Sequence, residues 1–218
     1  MPSPFTTLLI ADDEPSVRHS LSQVLVEIGH NVRCAEDGFA ALREIRSEVP
    51  EVLISDLNMP GMSGIELLSV VRRRFPTIRT IAMSNSFSGD EVPSGVAADA
   101  YYQKGSSILS LMRIMETLPQ EERQAHRRTN RSATVWIHRN SHEPSQDAFV
   151  TITCPECLRT FPQTLSSGHL KRKTDCIYCG SAIRYAVVPQ AERTPLPIFR
   201  LKSARGARIV RSASNLSD

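Results

Sequence analysis

No stretch of this 218-residue sequence approaches the roughly 18 consecutive apolar residues that a membrane-spanning helix requires. A helical span is therefore excluded, and no membrane partner is expected. The N-terminus lacks a charged segment followed by an apolar one, so no secretory leader is expected and a cytoplasmic setting follows. In that setting cysteines more often bind metal than form disulfides. No helix-turn-helix pattern is visible. Charge is abundant, but unevenly spread. Residues 1–118 carry 10 Lys+Arg against 15 Asp+Glu, and residues 119–218 carry 16 against 8. Four of the five cysteines also lie in the basic part. At about 150 residues per domain, two small modules are the simplest account.

The acidic part is organised around Leu53-Ile54-Ser55-Asp56-Leu57-Asn58-Met59-Pro60-Gly61-Met62-Ser63-Gly64. Residues 52–54 read as a strand buried on both faces, which signals a parallel sheet. Residues 8–10 are a second such run, and Asp12-Asp13-Glu14-Pro15 follows it. Residues 31–35 form a third strand, in which Cys34 is expected to fill core. Strands at 77–83 and 101–103 complete five. Between them, helical spacing runs from Val17 to Ile28, across 39–49, across 65–74 and from Ser106 or Ser107 to Leu118. Five strand–helix alternations predict a doubly wound five-stranded parallel sheet with right-handed crossovers.

That topology brings the carboxyl ends of all strands to one edge, where open sheets build their sites. Asp12 and Asp13 end the first strand, Asp56 the third in chain order, Ser84 the fourth and Lys104 the fifth. Three converging carboxylates repel one another and need a cation, and oxygen-only donors suit Mg²⁺. A hydroxyl and an ammonium beside them supply donors for an incoming anion. The set describes phosphoryl transfer to a carboxylate, with Asp56 attacking.

On these residues, in register, the stretch 6–118 resembles the receiver domain of bacterial two-component response regulators, which is flavodoxin-like. The resemblance implies that Asp56 is the phosphoacceptor for a histidine kinase or phosphotransfer protein, and that Ser84 and Lys104 contact the phosphoryl oxygens. It implies Mg²⁺ bound by Asp13, Asp56 and the Asn58 carbonyl, with Asp12 acting through water. It places Tyr101 at an aromatic switch position, although a half-buried strand tyrosine is an equal reading. Receivers are not enzymes beyond self-phosphorylation and self-dephosphorylation. An aspartate-nucleophile phosphatase would carry a second aspartate where Asn58 stands. The pattern departs from the family at Gly105, where proline usually follows the lysine, and at Asn85, where a small residue is usual. Gly89, Pro93 and Gly95 predict a poor helix across 87–98. The last helix is apolar on more than one face, which suggests either a homodimer surface or a covering linker.

Residues 119–148 read as a polar linker in which Val135-Trp136-Ile137 are suited to a strand on the next module, and His126, His138 and His142 as solvated. Cys154-Pro155-Glu156-Cys157 and Cys176-Ile177-Tyr178-Cys179 enclose 18 residues. Two Cys-x-x-Cys pairs so spaced match a tetrahedral Zn²⁺ site, and four closed thiolates make it structural rather than catalytic. With strand-like alternation across 149–153 and 182–188, residues 149–189 resemble a zinc ribbon, a second, small β-rich domain with little apolar core. Lys171-Arg172-Lys173 forms a basic patch, with Phe161, Tyr178 and Tyr185 available to stack on bases. Residues 190–218 read as a disordered basic tail. The expected function is phosphorelay signalling with output through a protein target. Phosphorylation-controlled nucleic-acid binding, as in a transcriptional regulator, is the alternative.

Overall fold

Five short apolar runs become the parallel strands β1 (Thr7–Ala11), β2 (Asn31–Ala35), β3 (Val52–Asp56), β4 (Arg79–Ser84) and β5 (Ala100–Gln103). The structure, a computed structural model, describes residues 6–85, 96–118, 134–138, 149–165 and 171–188. The strand order is β2-β1-β3-β4-β5, all parallel. Helices α1 (Pro15–Glu27), α2 (Gly38–Ser47), α3 (Gly64–Arg74) and α4 (Ile108–Thr117) intervene. The doubly wound five-stranded sheet expected from the periodicity is present.

Alternation along each strand sorts the core into two layers. Leu8, Ile10, Val52, Ile54, Ile81 and Met83 pack with Leu25 of α1 and Leu111 and Met115 of α4. Leu9, Leu53 and Ala82 pack with α2 and α3 on the other face. Helix starts are set by local chemistry. Asp37 accepts from the Ala40 N–H, Ser63 from Glu66 and Ser107 from Leu109, and Pro15 occupies the first turn of α1. Because the chain reverses its winding between β1 and β3, a crevice opens above their carboxyl ends. Asp12 and Asp56 stand there.

The remaining strands are β6 (Val135–His138), β7 (Phe149–Thr153), β8 (Thr160–Thr164), β9 (Lys171–Asp175) and β10 (Ala182–Val188). They form a three-stranded sheet β6-β10-β9 and a two-stranded sheet β7-β8. Strands β6, β7 and β10 answer the sequence expectation. Strands β8 and β9 do not, since Lys-Arg-Lys-Thr-Asp shows no apolar alternation and Thr-Phe-Pro-Gln-Thr little. These strands lie against α3. Val135, Ile137, Val150, Ile152, Phe161, Ile183 and Tyr185 are buried in one continuous cluster with Leu67, Val70 and Val71. The expectation of little apolar core is therefore corrected. The β-rich region completes its core on the α3 face, and each fully buried large side chain contributes about 1.5–3 kcal/mol.

Cys34 also departs from expectation, because it is exposed. Strand β2 lies at the sheet edge, where its alternate face is only partly covered. Helix α4 buries Leu111 and Met115, with Ile108, Met112 and Ile114 at the margin, and leaves Leu109 65% exposed. Most of its apolar surplus is thus absorbed by the same chain. The expectations for 86–95, for His126 and His142, and for the tail 190–218 lie outside the described residues. Residues 96–98 are not helical. Among the described residues, no helix is long and apolar enough to cross a membrane.

Candidate functional site

Strand β3 is buried along its whole length, so its last side chain, Asp56, leaves the sheet within the protein rather than in open water. The main chain behind it is equally confined. Gly64 opens α3 directly against it, and a Cβ at that position would lie 1.7 Å from the Asp56 carbonyl oxygen. The Gly64 N–H donates to the Leu57 carbonyl at 3.1 Å, and the Leu57 N–H to Met83 at 3.0 Å. These contacts explain physically why the loop ends in glycine.

Lys104 Nζ lies 2.7 Å from Asp12 Oδ2 and 3.0 Å from Asp56 Oδ2. The ammonium, 11% exposed, bridges two carboxylates that are themselves buried. Burial raises the Asp56 pKa. Lys104 opposes that rise by its charge and hydrogen bond, Asp12 adds to it, and the Asn58 main chain opposes it. For Lys104 burial acts downward, but hydrogen bonds and charge from Asp12 and Asp56 more than offset it and raise its pKa. Carboxylate oxygens of Asp12, Asp13 and Asp56 all lie within 4.8 Å of one another. That all-oxygen set, with Asp13 the most open of the three, fits a hard dication such as Mg²⁺.

Ser84 ends β4 beside Asp56, buried, and its carbonyl accepts from the Lys104 N–H at 3.1 Å and from the Tyr101 hydroxyl at 2.9 Å. Tyr101 is 2% exposed, which makes it fully buried rather than half-buried. The Lys104–Gly105 peptide is trans, and Gly105 takes φ +82° with open space around it. Asn85 is exposed. Beside Lys104, a cavity of about 350 Å³ is lined by Val17, Leu21, Val24, Met83, Tyr102 and Ile108, among others. Asp12, Asp13, Asp56, Ser84, Tyr101 and Lys104 therefore gather at one edge of the sheet.

The four C-terminal cysteines converge separately. Their sulfurs lie within 4.8 Å of one another, with Cys154–Cys179 and Cys157–Cys176 each 3.7 Å apart. A tetrahedral Zn²⁺ with Zn–S bonds of about 2.3 Å places its sulfurs about 3.8 Å apart, so the spacing fits zinc and is far too long for a disulfide. The two knuckles repeat one another. Cys154 N–H donates to Arg159 and Cys176 N–H to Ser181, each at 2.9 Å, while Leu158 and Gly180 N–H return to Cys154 and Cys176, each at 2.8 Å. Leu158 (φ 59°) and Gly180 (φ 69°) occupy the same left-handed position. Only Gly180 was legible as a turn residue. Burial pushes the Cys154 thiol up to about 12 and raises Cys157, whereas hydrogen bonds from Ser181 bring Cys179 down to about 6.

Two of the three stacking groups proposed for nucleic acid are buried. Phe161 and Tyr185 are buried at 1% and 2% exposure, and Tyr178 alone is open, with the Arg159 guanidinium 5.3 Å from its ring centre.

Sequence reasoning missed the polar residues of α3. The buried Glu66 carboxylate accepts from the Thr153 N–H at 2.9 Å, and Ser69 Oγ accepts from Trp136 N–H at 3.3 Å. The buried Arg73 guanidinium donates to the Ala182 carbonyl at 3.0 Å and pairs with Glu156 at 3.4 Å. Burial pushes the Glu66 carboxyl up to about 7, with the Thr153 hydrogen bonds acting in the opposite sense. The available signal was the run Ile65, Leu67, Leu68, Val70, Val71, which is too broad for a helix covered on one side only.

Comparison with known proteins covers the N-terminal part. Residues 8–103 match the family model of the response regulator receiver domain. The transcriptional regulatory protein TctD of Salmonella typhimurium is 36% identical over 99 residues, 44% of each chain. The DNA-binding transcriptional regulator NtrC of Escherichia coli is 34% identical over 97 residues, 44% of this chain and 19% of that one. The match thus spans less than half the length of these relatives. The chemotaxis protein CheY4 of Vibrio cholerae is 26% identical with a TM-score of 0.48, over 53% of this chain and 99% of that structure. Over residues 8–103 the chain is thus similar to the response regulator receiver domain.

Proposed function

We propose that the chain is a response regulator in which Asp56 accepts a phosphoryl group from the phosphohistidine of a histidine kinase or phosphotransfer protein. The observation that carries this reading is the single ammonium of Lys104 held within 3.0 Å of both Asp12 and Asp56 at the crevice above β1 and β3. The nucleophile is a carboxylate oxygen of Asp56. It forms a bond to phosphorus as the bond from phosphorus to the donor imidazole nitrogen breaks, and the imidazole leaves. Lys104 opposes the rise that burial imposes on the Asp56 pKa, and turns toward the phosphoryl oxygens as they arrive. The Ser84 hydroxyl donates to another of those oxygens. Asp13, Asp56 and the Asn58 carbonyl would hold Mg²⁺, with Asp12 acting through water, and the ion would supply charge neutralisation for the phosphoryl oxygens. Tyr101 ties β5 to the Ser84 main chain and so couples the phosphoryl site to that strand.

Residues 1–118 would then be the receiver, 119–148 a linker that contributes β6, and 149–189 a small zinc-ribbon-like domain, with a basic tail beyond. Cys154, Cys157, Cys176 and Cys179 would hold one structural Zn²⁺. The output is contact with a protein target. Burial of Phe161 and Tyr185 supports this over nucleic acid, and the relatives named as DNA-binding are matched only in the N-terminal part. Incubation with a small phosphodonor and Mg²⁺ should label the native protein and leave Asp56→Asn unlabelled. Equal labelling of the two would remove Asp56 from its role.

A further inference from the structure

We propose that the cysteine centre and the Asp56 site are thermodynamically coupled through α3, so that loading metal on one changes cation affinity at the other. The inference rests on the reading of the four cysteines as a zinc centre.

The link can be followed atom by atom. The Asp56 carbonyl is in contact with Gly64, at the first turn of α3, with no room between them for a methyl group. Two residues on, Glu66 occupies the third helical position after the Ser63 cap. A glutamate there ordinarily turns back to its own helix start in a capping box. Here its carboxylate instead accepts from the N–H of Thr153, the residue before Cys154, at 2.9 Å. At the other end of the same helix, Arg73 holds Glu156, between Cys154 and Cys157, and the carbonyl of Ala182. Ala182 follows Ser181, whose carbonyl accepts from the Cys176 N–H. Residues 66, 69 and 73 recur at helical spacing, so one face of α3 grips both knuckles.

Two of these residues are buried ionisable groups, and their partners are set in place by the knuckle backbone. A buried polar group deprived of its partner is costly, so α3 and the knuckles hold their positions together. Four thiolates gathered within 4.8 Å require a cation to keep that arrangement. Metal therefore fixes the knuckles, the knuckles fix α3, and the first turn of α3 fixes the main chain of Asp56. Binding linkage is reciprocal, so occupancy at Asp56 must shift metal affinity by the same factor.

The test uses the full chain, zinc-loaded and chelator-stripped under reducing conditions, with metal content measured in each sample. Mg²⁺ affinity is read by calorimetric titration. Stripping should weaken Mg²⁺ binding about fivefold, at the lower end of typical coupling. The same loss is expected in Glu66→Gln, which retains an acceptor for Thr153. In Glu66→Ala the effect of stripping should fall below about twofold, because the grip on the first turn of α3, the turn against Asp56, is then cut and only that of Arg73 at the far end remains. Trp136, the only tryptophan, should change its emission when Mg²⁺ and beryllofluoride are added to the zinc-loaded protein, since its main-chain N–H rests on Ser69 of α3. Unchanged Mg²⁺ affinity after verified zinc loss would overturn the coupling and leave the zinc centre standing. Protein that holds no zinc would overturn both. Equal effects of stripping in native protein and Glu66→Ala would show that the first turn of α3 does not carry the link, and would overturn the proposed route.

Discussion

Glu66→Gln should remove a pH dependence from the stability of this chain. Glu66 is 6% exposed, and burial lifts its carboxyl to about 7 from 4.5. A raised folded-state pKa means that the folded protein binds the proton more tightly than the unfolded chain. The stabilisation is therefore complete below about 4.5, and is lost as pH climbs toward 7 and beyond. At 1.36 kcal/mol per pKa unit, the whole effect is about 3 kcal/mol. Zinc thiolates protonate in acid, so the useful window is pH 6 to 8.5. Across it the native protein should lose about 1.4 kcal/mol from Glu66 alone, corresponding to the one unit between pH 6 and its pKa. Gln is nearly isosteric, accepts from Thr153 as Glu does, and carries no charge to desolvate. Urea unfolding followed by Trp136 emission at four pH values would give both slopes. The native curve should fall more steeply with pH by that amount, and the variant should be the more stable of the two at pH 8.5. Parallel curves would refute the assignment of a buried, half-protonated carboxyl between α3 and β7.

The remaining expectations follow from the same contacts. Lys104→Met leaves Asp12 and Asp56 as buried carboxylates without their cation, and should cost about 3 kcal/mol by chemical denaturation, reduced by saturating Mg²⁺. Gly64→Ala drives a methyl group into the Asp56 carbonyl and should cost about 3 kcal/mol or more while slowing phosphoryl labelling; wild-type labelling would show that the loop yields easily. Metal analysis of protein purified under reducing conditions should find one zinc per chain, absent from Cys154→Ser. Chelation should lower the stability of the receiver as well as that of the β-rich region, because the two share the α3 face. A receiver transition unmoved by chelation would contradict that shared core.

The N-terminal sheet was legible because its code is local. An apolar run ending in Asp56, another ending in Asp12 and Asp13, and Lys104 after a short strand need only the parallel topology to meet, and they do. The cysteine spacing was legible for the same reason. What sequence alone could not supply depends on a surface meeting another surface. Glu66, Ser69 and Arg73 look like the solvated stripe of an ordinary helix until β6, β7 and β10 cover them. Cys34 sits in a strand that periodicity finds, but its exposure follows from the edge position of that strand. Leu158 adopts a left-handed conformation that only the knuckle's hydrogen bonds explain. Strand β9 is held by pairing with β10, not by any preference of Lys-Arg-Lys-Thr-Asp for extension.

The account stands most directly on the chemistry of Asp56. Native protein treated with Mg²⁺ and a small phosphodonor, then reduced with borohydride, converts an aspartyl phosphate to homoserine, which peptide mass spectrometry locates. Homoserine at position 56, and its loss in Asp56→Asn, is the predicted result. Homoserine at position 12 or 13, or none at all under conditions that bind Mg²⁺, would contradict it.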